Sequence, residues 1–224
     1  MRLSNIKDEL DKLIIEYDKL QNKYGEVGLD SIYGGGCIEN PNICFVFMNP
    51  TGRNVATSKN WKGLKYPWIG TKNVWDLFYC LSLIDDSYYQ KIRSMKGSEW
   101  SEEFAEELYE HVKFKKYFIT NLGKCTQLDA RGLPDSVYRE YLHLFYKELE
   151  IIDPKVIILF GNQVSSIVLD EKISVSLVRK KQFTKVIKGK EYKFYSVYYP
   201  IGNGRFNIDK SIEDIKWIME NELN

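Results

Sequence analysis

The chain has 224 residues, 44% of them hydrophobic, and a formal net charge of +1. This composition excludes a disordered chain and allows one large domain with a substantial core. The near-zero charge by itself gives no reason to expect a nucleic-acid or membrane partner, and no apolar run approaches the roughly 20 residues of a membrane span.

Cys37, Cys44, Cys80 and Cys125 contain no C-x-x-C pair, so their spacing offers no zinc or redox motif. Three lie in or beside apolar runs and read as buried free thiols, which implies a reducing compartment. Residues 1–12 are charged throughout and lack the apolar centre of a secretory leader. A soluble cytoplasmic protein is expected. His111 and His143 stand far apart in helical patterns, giving a metal site or a histidine triad little to draw on. No metal and no cofactor are expected.

In chain order, Ile6, Leu10, Leu13, Ile14, Tyr17, Leu20 and Tyr24 recur at helical spacing, so a helix over residues 1–25 opens the chain. "YGGGCIENPN" reads as a loop. "ICFVFM" is a short continuous apolar run between turn residues, the pattern of a strand buried on both faces. A long polar loop over 49–73 leads to the helix "VWDLFYCLSLI", and two further helical patterns cover 87–112. "KKYFITNLGKC" is a second apolar run ending in a polar loop. Pro134 sits at the start of the amphipathic "DSVYREYLHLFYKELEII". "DPKVIILFG" is a third buried strand, ended by Gly161 before the helix "NQVSSIVL".

"FTKVIKGKEYKFYSVYYP" reads as a hairpin turning at Lys188 and Gly189, its second arm being the fourth core strand. Between 179 and 193 stand seven basic residues against one acid, Glu191, a local patch able to steer a polyanion or simply a solvated hairpin face. "SIEDIKWIMENEL" closes the chain as a helix, with Ser211 as N-cap and Asp214 in the first turn.

Strands alternating with helices predict an α/β protein: a three-layer α/β/α sandwich around a central, mainly parallel four-stranded sheet. With no repeat, linker or low-complexity segment, the chain reads as one domain over 1–224, the N-terminal helix packed on it. Ligands in such sheets bind at the carboxyl ends of the strands. Three polar segments, 49–54, 121–125 and 200–207, lie at such ends and are expected to converge.

The candidates there are mostly neutral: the carboxamides of Asn49 and Asn121, several glycines, and Trp61, Tyr66, Trp68, Tyr198 and Tyr199. There is no G-x-x-x-x-G-K-[ST], no G-x-G-x-x-G and no G-x-S-x-G. An asparagine offers an acceptor and two donors in one plane. It can accept from an imide N–H while donating to the adjacent carbonyl, the pair that uracil presents. Aromatic stacking of a flipped base contributes about 1–3 kcal/mol.

Five segments in order resemble the uracil-DNA glycosylase superfamily, over about residues 28–220. "GGGCIENPNICFVFMNPTGRN" is similar to that family's first motif, whose loop holds the catalytic water. "KYPWIGTKNVWDLF" is similar to its segment carrying the aromatic that stacks on uracil. "YFITNLGKC" resembles its base-reading strand, and "DPKVIILFGNQVSSIVL" its strand–glycine–helix segment. "YSVYYPIGNGRFN" stands where the family has H-P-S and a loop that wedges into DNA.

The resemblance implies hydrolysis of an N-glycosidic bond after base flipping, on uracil-containing DNA, single- or double-stranded; a monomer is expected. It implies Asn49 and Tyr199 as catalytic groups, Asn49 orienting the water and Tyr199 assisting departure of the base. Trp68, Asn121, Met48 and Pro50 would contact the base. Arg53, Lys124, Gly202, Arg205 and Phe206 would contact DNA, with Lys180 and Lys181 from the basic stretch. Location with the nucleoid or nucleus would follow.

Three departures stand out. Tyr199 replaces the family's histidine before the proline, and Gly202 lies near its missing serine. Only Cys125 falls on a cysteine position of the iron–sulfur branch, so no cluster is expected. Two rival readings are a catalytically inactive nucleic-acid- or nucleotide-binding module of the same fold, and an unrelated α/β hydrolase. The latter has only Asp129 and Asp209 to draw on.

Overall fold

The computed structural model describes residues 2–130 and 132–223. Six strands form one sheet: β1 (Gly35–Gly36), β2 (Ile43–Phe47), β3 (Tyr117–Asn121), β4 (Val156–Phe160), β5 (Gln182–Ile187) and β6 (Lys190–Val197), in the order β1-β3-β2-β4-β6-β5. The four central strands are parallel, with Phe47 opposite Asn121 and Val46 opposite Leu159. β1 and β5 are antiparallel edges. The expected four-stranded sheet is thus the parallel centre of a six-stranded one.

Seven α-helices are described: α1 (Arg2–Tyr24), α2 (Asn73–Cys80), α3 (Asp86–Ser94), α4 (Glu102–Phe114), α5 (Asp135–Ile152), α6 (Asn162–Leu169) and α7 (Ile208–Glu222). Successive strand residues point to opposite faces, and the two cores divide on that alternation. Phe45, Phe47, Ile119, Ile158, Phe160 and Val197 pack against α2, α4 and α7. Cys44, Val46, Phe118, Ile157, Leu159 and Phe194 pack against α5 and α6. Both faces being covered explains why each central strand reads as a continuous apolar run. α1 lies outside α5, joined through Leu13, Tyr17, Val137, Tyr141 and Leu144.

The β5–β6 hairpin turns at Lys188 and Gly189, both at positive φ (46° and 83°), the primed turn whose twist suits two-residue hairpins. Two local readings differ from what forms. The glycine stretch is not only loop: Gly35–Gly36 pairs with β3, and a Cβ on Gly35 would lie 2.4 Å from the Tyr66 ring. Glycine lets the backbone pass beneath that ring. Ser211 is not an N-cap, since α7 begins at Ile208. Its buried hydroxyl donates to the Tyr198 carbonyl (2.9 Å) instead.

Lys124 is fully buried. Its Nζ donates to the Thr120 hydroxyl, to the Asn121 carbonyl (2.6 Å) and to Glu148 of α5 (2.9 Å), and lies 5.1 Å from the centre of the Tyr17 ring of α1. Removing one partner of a buried pair strands the other charge and costs about 3–5 kcal/mol, whereas replacing both by apolar groups is often neutral. Urea unfolding is expected to show a loss of that size for Lys124→Ala, and most of it restored in Lys124→Met combined with Glu148→Leu.

Candidate functional site at the carboxyl edge of the sheet

The β2–β3 ladder continues past the strand ends. Leu122 N–H donates to the Phe47 carbonyl (2.8 Å), Gly123 to Met48 (2.9 Å), Gln127 to Pro50 (3.1 Å), and Gly52 to Gln127 (2.9 Å). The two loops carrying Asn49 and residues 121–125 are therefore tied to each other by backbone hydrogen bonds, not left as free connections. Asn54 ties the first loop to the aromatic one: its Oδ1 accepts from Ala56 N–H (3.0 Å) and its Nδ2 donates to the Tyr66 carbonyl (2.9 Å).

Asn121 ends β3 with 2% of its surface exposed. Its backbone carbonyl takes the Lys124 ammonium, while its carboxamide makes no hydrogen bond to any described residue. The carboxamide atoms keep what little surface the residue has, unlike the fully sealed indole N–H of Trp68. Asn121 is the cross-strand neighbour of Phe47 and shares its face of the sheet. Phe47 stacks on Phe160 (4.2 Å, 13°), with Trp68 (4.9 Å, 72°) and Tyr199 (6.1 Å, 84°) edge-on to it. The unpaired amide thus adjoins an aromatic floor.

Asn49 belongs to the same edge but is turned toward the opposite layer. Its Oδ1 accepts from the Tyr138 hydroxyl of α5 (2.6 Å), and its Nδ2 donates to the Pro50 carbonyl (3.0 Å). Tyr138 is fully buried, and burial pushes its phenol well above its ordinary pKa. Sequence reasoning missed Tyr138. It stands in the first turn of a helix already explained by its apolar stripe, and no spacing links it to Asn49.

Trp68 adopts a left-handed backbone (φ 66°). Its carbonyl accepts from Thr71 N–H (3.2 Å), the Thr71 hydroxyl (2.8 Å) and the Trp75 indole (3.2 Å), which together offset the strain. Its own indole N–H is buried without a partner. Tyr199 keeps part of its surface, yet its hydroxyl is desolvated enough that burial raises its pKa well above the ordinary phenol value. The phenol is therefore neutral at working pH.

A cleft of about 230 Å³ opens beside Tyr199, lined also by Gly161, Asn162, Val175, Tyr198 and Gly204. A second, of about 390 Å³, lies by Val55, Trp61, Gly97, Trp100 and Glu102. Neither is lined by Asn49, Asn121 or Trp68. Met48 packs its side chain on the α5–α6 side, and Pro50 is buried. Both face the neighbouring loop through their carbonyls.

Arg53 and Arg205 are exposed, Arg205 lying 5.2 Å over the ring of Phe206, which is 78% exposed beside the positive-φ Gly202. Lys124 is a correction: fully buried and committed to Glu148, it is closed to a DNA phosphate. The basic stretch is largely neutralised as well. Arg179 and Lys180 pair with Glu213, Arg179 also with buried Asp214, Lys188 with Glu150, Lys190 with Asp153 and Lys193 with Glu222. Lys181 and Lys185 instead lie over the rings of Phe183 and Tyr146. The β5–β6 register puts Gln182 opposite Tyr195, so residues 179–181 face the carboxyl edge and the hairpin turn lies at the other end.

Among the described residues no group of three or more His, Cys, Asp or Glu could hold a metal ion, and no helix is long and apolar enough to cross a membrane. Compared with protein-family models and with curated proteins, the chain matches none.

A Cβ on Gly204 would lie 1.8 Å from the Tyr199 carbonyl oxygen, a backbone overlap that side-chain motion cannot relieve. Gly204→Ala is expected to cost about 1–3 kcal/mol, as overpacking does, and to displace Tyr199. Thermal melting and tyrosine fluorescence would check this.

Proposed function

We propose that the chain is a DNA glycosylase hydrolysing the N-glycosidic bond of uracil, or a related deaminated base, flipped out of DNA. The observation that carries the reading is the Asn121 carboxamide: without a hydrogen bond to a described residue, its small remaining surface at the strand end, and set beside the floor of Phe47 and Phe160 with Trp68 edge-on to Phe47. That combination suits a planar base edge presenting an imide N–H beside a carbonyl.

In this reading a water held at Asn49 Oδ1 adds its oxygen to the sugar C1′ as the bond to the base nitrogen breaks. The base leaves with the electron pair and takes up the proton released by the water. The sugar is oxocarbenium-like in the transition state. A donor from Asn121 aimed at the base carbonyl stabilises the departing anion, and Tyr199 supplies a neutral phenol in place of the family's histidine. Arg53, Arg205, Phe206 and Lys181 meet the DNA around the cleft.

The rival reading, a nucleic-acid- or nucleotide-binding module without turnover, is favoured by one observation. Tyr199, standing where the resembled family has its histidine, has its ring packed edge-on against Phe47 (6.1 Å, 84°).

A labelled oligonucleotide carrying uracil, opposite guanine, opposite adenine and single-stranded, followed by alkali, separates the two. Strand cleavage at an abasic site is expected, reduced about 10²-fold or more in Asn49→Ala, as loss of a water-orienting group implies. Asn121→Asp is expected to lower uracil processing. Binding with no abasic product would overturn the enzyme in favour of the module. For phosphate contact, Lys181→Ala is expected to reduce the slope of log affinity against log salt by about one. An unchanged slope removes Lys181 from the interface.

A further inference from the structure

Tyr138 is fully buried, and its phenol directs its single proton at Asn49 Oδ1, 2.6 Å away. The Pro50 carbonyl has no proton to give, so only the amide nitrogen of Asn49 can face it, at 3.0 Å. Oδ1 is thereby turned to Tyr138. The contact to Pro50 is with the next residue in the chain and cannot by itself fix the carboxamide relative to the rest of the fold. The contact to Tyr138 spans 89 residues and ties the amide to α5.

The Tyr138 ring also rests on Gly123, where a Cβ would lie 3.1 and 3.3 Å from ring carbons and 3.6 Å from Asn49 Cβ. One side chain therefore gauges the separation of the two loops that carry Asn49 and follow Asn121. With both contacts made, Asn49 retains one lone pair on Oδ1 and one N–H, in a fixed plane.

We propose that Tyr138 is a positioning residue that pins the Asn49 carboxamide, leaving one oxygen lone pair set to accept a proton of the attacking water. Its catalytic consequence rests on the glycosylase reading; the pinning itself does not. Tyr138 touches neither base nor sugar in this role and exchanges no proton. Burial keeps its phenol protonated across the working range, so the hold does not weaken as pH rises toward the ordinary phenol pKa.

The experiment compares Tyr138→Phe with Gly123→Ala, which keeps the hydroxyl but crowds the ring. Tyr146→Phe is the control, because it removes a hydroxyl bond to the Val168 carbonyl elsewhere on α5 (2.8 Å). Two readouts are taken on the full chain. The first is the side-chain amide NMR signal of Asn49, identified by its loss in Asn49→Asp. The second is the single-turnover rate and Kd on a uracil oligonucleotide.

Tyr138→Phe is expected to shift the Asn49 amide pair and speed its exchange with water, and to lower the rate about 10–100-fold, the scale of a sub-ångström to ångström misplacement, with Kd unchanged. Gly123→Ala is expected to change the same two readouts by less, and Tyr146→Phe neither. An Asn49 amide signal unaltered in Tyr138→Phe overturns the proposal, as does a rate loss matched by the control. If the wild-type chain forms no abasic product the glycosylase reading fails, and the amide signal alone then decides whether Tyr138 pins Asn49.

Discussion

The buried ammonium of Lys124 is the constraint around which one side of the molecule is assembled. A lysine charge taken out of water is tolerated only with close opposite charge and all its protons engaged. Glu148 of α5, the Thr120 hydroxyl and the Asn121 carbonyl meet that demand from two elements, and the Tyr17 ring of α1 closes the outer side. The distance between α5 and β3, the seat of α1, and the backbone at the end of β3 are thus set by one group. The same group gives the candidate site its rigidity: the residue after Thr120 is Asn121, whose peptide is held while its side chain is left unpaired.

The second constraint is backbone pairing that outlasts the strands. Four bonds carry the β2–β3 ladder through residues 47–52 and 122–127. Polar loops at strand ends are ordinarily the softest part of an α/β sheet. Here they are braced to each other, to α5 through Tyr138, and to the aromatic loop through Asn54. The energetic cost is concentrated at Trp68, whose left-handed backbone is offset by three donors on its carbonyl.

Lys124 and Tyr138 show where reading residues alone stops. In "TNLGKC" a lysine after a glycine looks like a free cation for phosphate; in the fold it faces Glu148, 24 positions away along the chain, which no local pattern links to it. Tyr138 was hidden by the opposite cause, since a helix whose apolar stripe is already explained gives no reason to single out one more aromatic. The basic stretch, open in sequence between a polyanion-steering patch and a solvated face, turns on a third kind of contact. Its acidic partners Glu150, Asp153, Glu213, Asp214 and Glu222 come from α5, α7 and the turn ending α5, so the patch looks charged in sequence and is largely balanced in space.

The sequence by itself determined the alternation of elements, the parallel centre of the sheet, the hairpin turn at Lys188 and Gly189, and the strand ends at which polar segments gather. Each follows from local physics: apolar runs of strand length, helical periodicity, and turn residues whose backbone freedom is their own. Only the tertiary structure decided which polar groups at that edge are committed and which are free. Asn49 is engaged on both atoms of its amide, Lys124 is consumed inside the core, and the Asn121 carboxamide remains open. That division depends on partners brought from distant segments by packing, because a hydrogen bond is satisfied by position in space and not by proximity in the chain.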